Sequence, residues 1–569
     1  MFIDDNHRML IHVVVTAAVL AALVPVPVNV ASGRTAATDA ETWTPPLSTR
    51  GRYIVDANGN RFKLRSGNWH GASGTWTGTG DAADGANPHL NGRTPLQVYD
   101  AVVEALTAAG LAVILNNHTN TTRWCCGVDG NERWNASQSA ATWEDDWLFM
   151  VRRYRSNPRV VGADLYNEVR RSIMDDPNWG GGGDHDWFAA SQRLGDRILA
   201  EANPDLLIIV EGINWTGLPV DGLPHGRPTL EPVRTLSHTL VRSGKLVYSA
   251  HFYDYTGPRH SGATGIGETS DPRYRDLDRD QLHAVVTRQA LFVAGEPGQH
   301  FTAPVWVSEF GVGGRDETGA RQRAWFQNIV DLLVAADADF AYWPVVGWGE
   351  RNSWALLHWD AAGRRTGPYD GDDWRGPAWS RLTGSPGVEG AVAPVTDRSM
   401  LSPDRGDFVQ SLRLRAGGDW HPGARKAACP DGQRLAGHSH TGNRGLCVVA
   451  AQPGRFELVV DERYVSPDWA SGYTKLQCPP GLAMVGYSVR GAVVAGAMCA
   501  ALPVAAGSTG RTVWFDRGDN RPAGAAGGDF ASGHYKGQCA DTEYVAGVAF
   551  TRRIGSSGSP AAILCRPVT

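Results

Sequence analysis

The 569-residue chain has almost no net charge and no long basic run. Its 54 Lys and Arg residues nearly balance 59 Asp and Glu residues, for a formal charge of −5. Nucleic-acid binding by charge needs clustered basic residues, so we expect no nucleic-acid partner. His, Cys and carboxylate residues show no ligand spacing, so the sequence predicts neither a metal nor a cofactor. Beyond the N-terminus no apolar run reaches the length of about 18 residues that suggests a membrane span.

The N-terminus carries the one long apolar stretch, Met9–Val30. Pro25 and Pro27 interrupt it, and small residues within Ala31–Ala37 could host a signal-peptidase cut. These features favour a removed signal peptide and leader over residues 1–37 rather than a spanning helix. We therefore expect a secreted, extracellular protein that is monomeric and has no membrane contact after the signal is removed.

Cysteine is scarce, and its eight residues are clustered. Two are the adjacent Cys125 and Cys126, and the other six all lie beyond residue 428. An even number of cysteines in an exported chain is typical of a disulfide framework.

From about Gly51 to Leu382 apolar, strand-like runs alternate with helical stretches, which predicts an α/β fold with a parallel sheet. The predicted strands are Phe62–Trp69, Leu111–His118, Val160–Glu168, Leu206–Glu211, Leu246–Tyr253, Pro304–Glu309 and Phe340–Val345. The predicted helices are Pro95–Ala109, Ala140–Tyr154, Trp187–Ala202, Asp280–Ala294 and Ala320–Ala335. A (β/α)8 barrel needs eight strands, and the Gly-rich stretch after Trp69 holds no apolar run that could supply the second one.

Two glutamates end matching apolar runs. Glu168 closes Val160–Glu168, and Glu309 lies within Ala303–Gly311. A carboxylate just past a buried parallel strand lies at the rim where barrel enzymes have their active sites. Two carboxylates that face each other are the groups that hydrolyse glycosidic bonds. The pair predicts an enzyme of that class.

Six stretches, in order, make the chain resemble glycoside hydrolase family 5, the cellulase-like retaining glycosidases built on a (β/α)8 barrel. The resemblance covers roughly residues 47–382. It rests on Gly67–Gly71, Gly110–His118, Asn157–Glu168, Tyr248–Tyr253, Val307–Gly311 and Ala341–Trp343.

The resemblance implies that Glu168 is the acid/base and Glu309 the nucleophile, with carboxyl groups about 5–5.5 Å apart. The acid then needs a raised pKa, and the nucleophile needs hydrogen-bond donors that keep it ionised. The implied substrate-binding residues are His118, Asn167, His251, Tyr253 and Trp343. A structural role for the two histidines and a core role for the tryptophan remain the alternatives.

One departure from the family stands out. Family members bring an arginine to the nucleophile from the end of the second barrel strand, and that strand is missing here. Arg65 lies in the first strand and is no obvious substitute. Either another segment fills the gap, or the domain is destabilised or inactive. We expect a retaining β-glycosidase for a β-linked polysaccharide such as a glucan; the alternative is a non-catalytic carbohydrate-binding protein with a degenerate barrel.

A linker-like break at residues 383–398 precedes a β-rich domain over 399–569 that contains an internal repeat. The pattern Asp-Trp/Phe-x-x-Gly-x-x-Lys-x-x-Cys starts at Asp419, Asp468 and Asp529, and each copy has a glycine eight residues after its cysteine. Its Asp and Lys residues either pack internally or bind a ligand. We expect one disulfide within each copy: Cys429–Cys447, Cys478–Cys499 and Cys539–Cys565. Cys125 and Cys126 would then form a vicinal disulfide, remain free thiols or bridge to another molecule.

Overall fold

A computed structural model of the chain describes most of the residues beyond position 42. The described residues are 10–16, 43–69, 90–120, 133–172, 175–218, 220–238, 240, 242, 244–255, 270–297, 301–314, 319–348, 354–359, 365–366, 368, 373–392, 398–404, 406, 419–429, 432–440, 444–450, 454–465, 467–491, 493–502, 510–522, 525, 529–551 and 560–568.

Eight strands close into a barrel in the order β1-β2-β8-β7-β6-β5-β4-β3. They are β1 (Leu10–Thr16), β2 (Arg65–Trp69), β3 (Ala112–Thr119), β4 (Val160–Asp164), β5 (Leu207–Glu211), β6 (Leu246–His251), β7 (Val305–Phe310) and β8 (Asp339–Tyr342). Strands β2 to β8 are the seven predicted from apolar runs, and they pair in parallel. The strands predicted as Val160–Glu168 and Phe340–Val345 end earlier than expected, at Asp164 and Tyr342.

The gap left by the missing second strand is filled from the N-terminus. Strand β1 pairs antiparallel with both neighbours, and Val14 lies opposite Asn68 of β2 and Ile114 of β3. Without it, the facing edges of β2 and β3 would present unpaired backbone groups. The predicted leader includes these residues and stays a prediction. The Gly-rich stretch at 70–89 lies outside the described residues.

Helices flank the strands, and all except α7 lie at the predicted positions. They are α1 (Pro95–Ala108), α2 (Ala140–Tyr154), α3 (Trp187–Arg197), α4 (Arg279–Val286), α5 (Phe292–Gly295), α6 (Ala320–Ala335) and α7 (Gly376–Gly384). Capping side chains mark where helices begin. At the start of α2, for example, Ser139 Oγ accepts a hydrogen bond from the backbone N–H of Thr142. Single π-helical turns, Ile198–Ala202 and Thr287–Leu291, continue α3 and α4. No helix in the described part of the chain is long and apolar enough to cross a membrane.

Shorter strands form small sheets separate from the barrel. Two are hairpins, Ser48–Arg50 with Tyr53–Val55 and Thr216–Gly217 with His225–Gly226. A third sheet contains Val346–Trp348, Leu357–Trp359 and Arg365–Thr366. The first strand of this third sheet begins four residues after β8 ends, so the sheet follows directly on the last strand of the barrel.

Buried tryptophans connect the helices to the strand ends that carry polar residues. Trp143 donates its indole N–H to Asn117 Oδ1 at 2.9 Å, and Trp147 donates to the Leu165 carbonyl at 3.0 Å. Trp187 donates to the Glu211 carbonyl at 2.7 Å. A buried indole N–H needs a partner, so each bond fixes a ring and a strand end together.

The C-terminal part forms three four-stranded sheets. Its strands are β9 (Arg398–Leu401), β10 (Arg425–Ala428), β11 (Gln433–Ser439), β12 (Arg444–Val449), β13 (Phe456–Val459), β14 (Thr474–Gln477), β15 (Leu482–Arg490), β16 (Val493–Ala501), β17 (Arg511–Trp514), β18 (Lys536–Gln538), β19 (Glu543–Phe550) and β20 (Pro560–Pro567). The sheets are β9-β12-β11-β18, β10-β15-β16-β13 and β14-β19-β20-β17. Each sheet therefore borrows one strand from another stretch of the chain.

Three disulfides join these sheets. The predicted pairings Cys429–Cys447, Cys478–Cys499 and Cys539–Cys565 are confirmed. Because Cys429 follows the borrowed strand β10 while Cys447 lies in β12, the first bond links two different sheets, and the other two do the same. Cys125 and Cys126 lie outside the described residues.

The Asp and Lys residues of the repeat pair with each other. The distances from Lys Nζ to the Asp oxygen are 2.6 Å for Lys426–Asp419, 3.0 Å for Lys475–Asp468 and 2.9 Å for Lys536–Asp529. Each ammonium also donates to backbone carbonyls, as Lys475 does to Ala470 and Tyr473. These are the contacts of internal packing, the first of the two interpretations.

Candidate active site

The two glutamates lie together at the carboxyl ends of the barrel strands. Glu309 is in β7, whereas Glu168 lies four residues beyond the end of β4, in the left-handed region with φ of 48°. A carboxylate oxygen of Glu168, one of Glu309 and a ring nitrogen of His251 all lie within 4.8 Å of one another. All three side chains are buried. The geometry brings the two predicted catalytic carboxyl groups to one point.

Of the two donors expected for Glu309, one hydrogen-bonds it and the other lies close by. Tyr253 donates its hydroxyl to Glu309 Oε2 at 2.7 Å, and His251 Nδ1 lies 3.4 Å from the same oxygen. His251 Nδ1 is closer to Glu168 Oε1, at 3.1 Å, and donates to that carboxylate. The histidine therefore lies between the two carboxyl groups.

An arginine does reach the pair, but it contacts the other glutamate. Arg170 Nη2 lies 2.6 Å from Glu168 Oε2, and both side chains are buried. Arg65 is directed elsewhere, because its guanidinium donates to the carbonyls of Ser385 and Pro386. Sequence reasoning missed Arg170, because its position two residues after Glu168 does not show which way its side chain points.

This asymmetry sets the protonation of the two carboxyls. Burial raises the pKa of Glu168, but the guanidinium of Arg170 and the hydrogen bond from His251 outweigh it and hold that pKa below its usual range. Burial and the charge of Glu168 raise the pKa of Glu309 well above its usual range, against the hydrogen bond from Tyr253. The surroundings of the ligand-free pair therefore favour a proton on Glu309 over one on Glu168, the reverse of the distribution expected from the implied roles.

Two further buried acids lie beside the pair, and neither was singled out from the sequence. Glu211, the last residue of β5, accepts the backbone N–H of Glu168 on Oε2 at 2.7 Å. Asp164, the last residue of β4, accepts from Asn116 Nδ2 at 2.9 Å. Burial raises the pKa of Asp164 to about 7 and, together with the charges of Glu168 and Asp164, raises that of Glu211. Both had been assigned only to buried strands.

The remaining predicted residues border the same point. Asn167 is buried, and neither its Oδ1 nor its Nδ2 has a hydrogen-bond partner among the described residues. The rings of His118 and Trp343 stack, with centroids 5.1 Å apart and planes within 6°. Trp343 follows β8, so the strand ends supply the histidine, the amide and the indole expected there.

Glu168, His251 and Glu309 are also the residues that could hold a metal ion by geometry. The two carboxyl groups already accept hydrogen bonds: Glu168 from Arg170 and His251, and Glu309 from Tyr253. A cation at this point would compete with the Arg170 guanidinium for Glu168. The donor set fits proton transfer better than metal binding.

A model of the family described as Cellulase (glycosyl hydrolase family 5) matches residues 53–347, just over half of the chain. The chain belongs to glycosyl hydrolase family 5. The matched segment contains every barrel strand except β1, together with both glutamates.

Curated relatives support this membership. The chain is 30% identical over 262 residues to an endoglucanase of Paenibacillus polymyxa, covering 46% of this chain and 59% of the relative. It is 28% identical over 302 residues to the major extracellular endoglucanase of Xanthomonas campestris pv. campestris, covering 52% and 54%. The chain thus spans less than two thirds of the length of each relative.

Two solved structures are also similar. The catalytic domain of the major endoglucanase from Xanthomonas campestris pv. campestris is 26% identical, with a TM-score of 0.39, over 52% of this chain and 77% of that one. A complex of an endocellulase variant from Pyrococcus horikoshii with cellotetraose is 19% identical, with a TM-score of 0.44, over 60% of this chain and 100% of that one.

Proposed function

We propose that this chain is a secreted, retaining β-glycosidase that hydrolyses a β-linked glucan. The observation that carries the proposal is the pair of buried carboxyls, Glu168 and Glu309, with oxygens within 4.8 Å of each other. An inverting enzyme keeps its carboxyls about 6.5–9.5 Å apart to leave room for water, whereas a retaining one keeps them about 5–5.5 Å apart. The short separation favours the retaining route.

In the proposed reaction Glu309 attacks the anomeric carbon, and the bond from that carbon to the bridging oxygen breaks. Glu168 gives its proton to the departing oxygen. In the second half Glu168, now ionised, takes a proton from water, and the water oxygen displaces Glu309 from the sugar. The proposed partner of the sugar 2-hydroxyl is Asn167, a role supported by its buried amide, which is unsatisfied among the described residues.

The surroundings of the ligand-free pair favour a proton on Glu309, whereas this reaction needs it on Glu168. The two carboxyls titrate as one unit, so the proton can move within the pair without being taken from solvent. A sugar bound against Glu168 would compete with Arg170 for that carboxylate, and a weaker contact with Arg170 would favour protonation of Glu168. We infer that substrate binding transfers the proton from Glu309 to Glu168.

The proposed substrate follows from curated relatives that are named as endoglucanases. Secretion is supported by the apolar Met9–Val30 stretch and by one relative described as extracellular. A cut near residue 37 would remove strand β1, so N-terminal sequencing of the exported, active protein determines whether that strand belongs to the mature barrel.

We also propose that residues 399–569 form one domain of three repeats that binds the polysaccharide. Three aromatic side chains of this region are exposed, Tyr464 by 45%, Trp514 by 50% and Tyr535 by 41%. Trp514 lies against Tyr473, with centroids 5.2 Å apart. Exposed aromatic faces suit the apolar faces of sugars. Trp514→Ala in the full chain should reduce retention on insoluble glucan; unchanged retention would contradict sugar binding at this ring.

Activity on a panel of β-glycans tests the proposed hydrolysis. Wild-type protein should release sugar from at least one β-glucan, and Glu168→Gln should lower kcat by roughly 10²–10⁴-fold, the contribution typical of general acid catalysis. Glu144→Gln is the matched control, because Glu144 is also buried but pairs with Arg193 and Arg197 away from the site. No activity on any glycan, or equal activity of Glu168→Gln and wild type, would contradict the proposal.

A further inference from the structure

Glu211 is buried next to Glu168 without any role in the proposed chemistry. It closes β5, which pairs with β4 and β6, and its Oε2 lies 3.6 Å from His251 Nε2. A carboxyl beside Glu168, Glu309 and Asp164 is costly, because burial and these neighbouring acids all disfavour its charged form. A leucine would fill the same space without that cost. The carboxyl must therefore do something that an apolar side chain cannot.

Its first contact holds the backbone of Glu168. Glu168 is one of only three non-glycine residues with positive φ in the described chain, and this conformation is strained for a side chain with a Cβ atom. The backbone N–H of Glu168 donates to Glu211 Oε2 at 2.7 Å. That bond satisfies a buried donor and fixes the turn that directs the Glu168 side chain toward Glu309.

Its second contact is with the imidazole that lies between the two catalytic carboxyls. His251 Nε2 lies 3.6 Å from Glu211 Oε2, while Nδ1 faces Glu168 and Glu309. Glu211 therefore flanks the edge of the ring opposite the reacting groups.

We propose that Glu211 is a positioning residue, whose side-chain oxygen holds Glu168 in its left-handed turn and packs against the His251 ring that lies between the two catalytic carboxyls. The inference rests on the proposed glycosidase function. It concerns a residue that touches no substrate, so its loss should affect the chemical step more than substrate binding. A misplacement of about 1 Å is enough to cost roughly 100-fold in rate.

Two substitutions separate this role from simple packing. Glu211→Leu removes the acceptor while filling the space, and Glu211→Gln keeps an oxygen at the same place. We expect Glu211→Leu to lower kcat by about 100-fold with KM within about threefold of wild type, and Glu211→Gln to stay within about tenfold of the wild-type kcat. Glu144→Leu, in a buried glutamate away from the site, controls for general destabilisation.

Thermal melts confirm that each variant is folded at the assay temperature, and a crystal structure of Glu211→Leu reports φ of residue 168. A negative φ there, together with the kcat loss, supports the proposal. A folded Glu211→Leu with wild-type kcat, or one with raised KM alone, overturns it. If Glu211→Leu does not fold, Glu211→Gln decides: a kcat within tenfold of wild type supports the acceptor role, and a greater loss overturns it. An inactive wild type would instead refute the proposed function.

Discussion

The rim of the barrel and the C-terminal sheets both contain buried polar side chains. The two regions differ in whether these side chains have hydrogen-bond or ion-pair partners. In the C-terminal sheets, Lys536 pairs with Asp529 and donates to the carbonyls of Arg517 and Gly518. At the rim, Asn167 has no partner for either amide atom among the described residues, and Glu309 is buried with its ionisation opposed.

The difference indicates what each set of polar residues is for. Buried polar groups that are fully paired stabilise a fold, whereas groups left unpaired or held with a shifted pKa cost stability and are typical of functional sites. The barrel keeps such groups at one point, and the sheets keep their motif residues paired. Mutations at the rim should therefore lower activity more than stability, and mutations of the motif residues in the sheets should lower stability more than activity.

Glu309→Gln should give the largest effect and only on activity. We expect kcat to fall by at least about 10⁴-fold, as for the loss of a nucleophile. The free energy of unfolding at pH 7 should not decrease, because glutamine resembles the protonated carboxyl that burial already favours. Kinetics on a β-glucan and urea unfolding measure the two quantities. A large loss of stability with retained activity would place Glu309 with the structural residues.

Lys536→Met should show the reverse. Removing the ammonium leaves Asp529 without its partner, and breaking a buried pair costs about 3–5 kcal/mol; Lys536 is only 1% exposed. We expect a lower urea midpoint for the C-terminal region and unchanged kcat on a soluble oligosaccharide. The double variant Lys536→Met/Asp529→Asn should recover part of the loss. Stability equal to wild type would mean that the pair contributes nothing.

Arg170→Met should move the pH dependence of the reaction. The guanidinium holds the pKa of Glu168 low, so its removal should raise that pKa. A general acid works while protonated, so the basic limb of kcat/KM, measured on a soluble β-glucan, should move to higher pH. A basic limb that stays in place would show that Arg170 does not control the proton of Glu168.

Asp164→Asn should give the smallest effect, seen in stability against pH. The pKa of Asp164 is raised to about 7 in the folded state, against about 3.9 for an unperturbed Asp. The raised pKa favours folding below pH of about 4, and this contribution is lost as the pH rises through about 7. Asn116 can still donate to the asparagine carbonyl. We therefore expect the stability of Asp164→Asn relative to wild type to be clearly higher at pH of about 8.5 than at pH of about 4; equal differences at both would contradict it.

Much of the barrel could be predicted from the sequence because buried parallel strands are continuous apolar runs. Strand β1, which closes the gap, could not be predicted. Its residues, Leu10–Thr16, lie far along the chain from the partner strand β2 and have the composition of a leader. The two glutamates were predictable from strand ends. Arg170 and Glu211 were not, because their roles depend on the turn at Glu168 and on side-chain directions that spacing does not encode.

The division of labour between Glu168 and Glu309 is the central claim, and azide rescue tests it most directly. Glu309→Ala and Glu168→Ala variants would be assayed for cleavage of an aryl β-glucoside with a good leaving group in the presence of added azide, and the glycosyl azide products would be identified. With the nucleophile gone, azide attacks from its side of the sugar and gives the α-glycosyl azide. With the acid/base gone, azide displaces Glu309 from the glycosyl-enzyme and gives the β-glycosyl azide. We predict α product from Glu309→Ala and β product from Glu168→Ala; the opposite pattern would contradict the assignment.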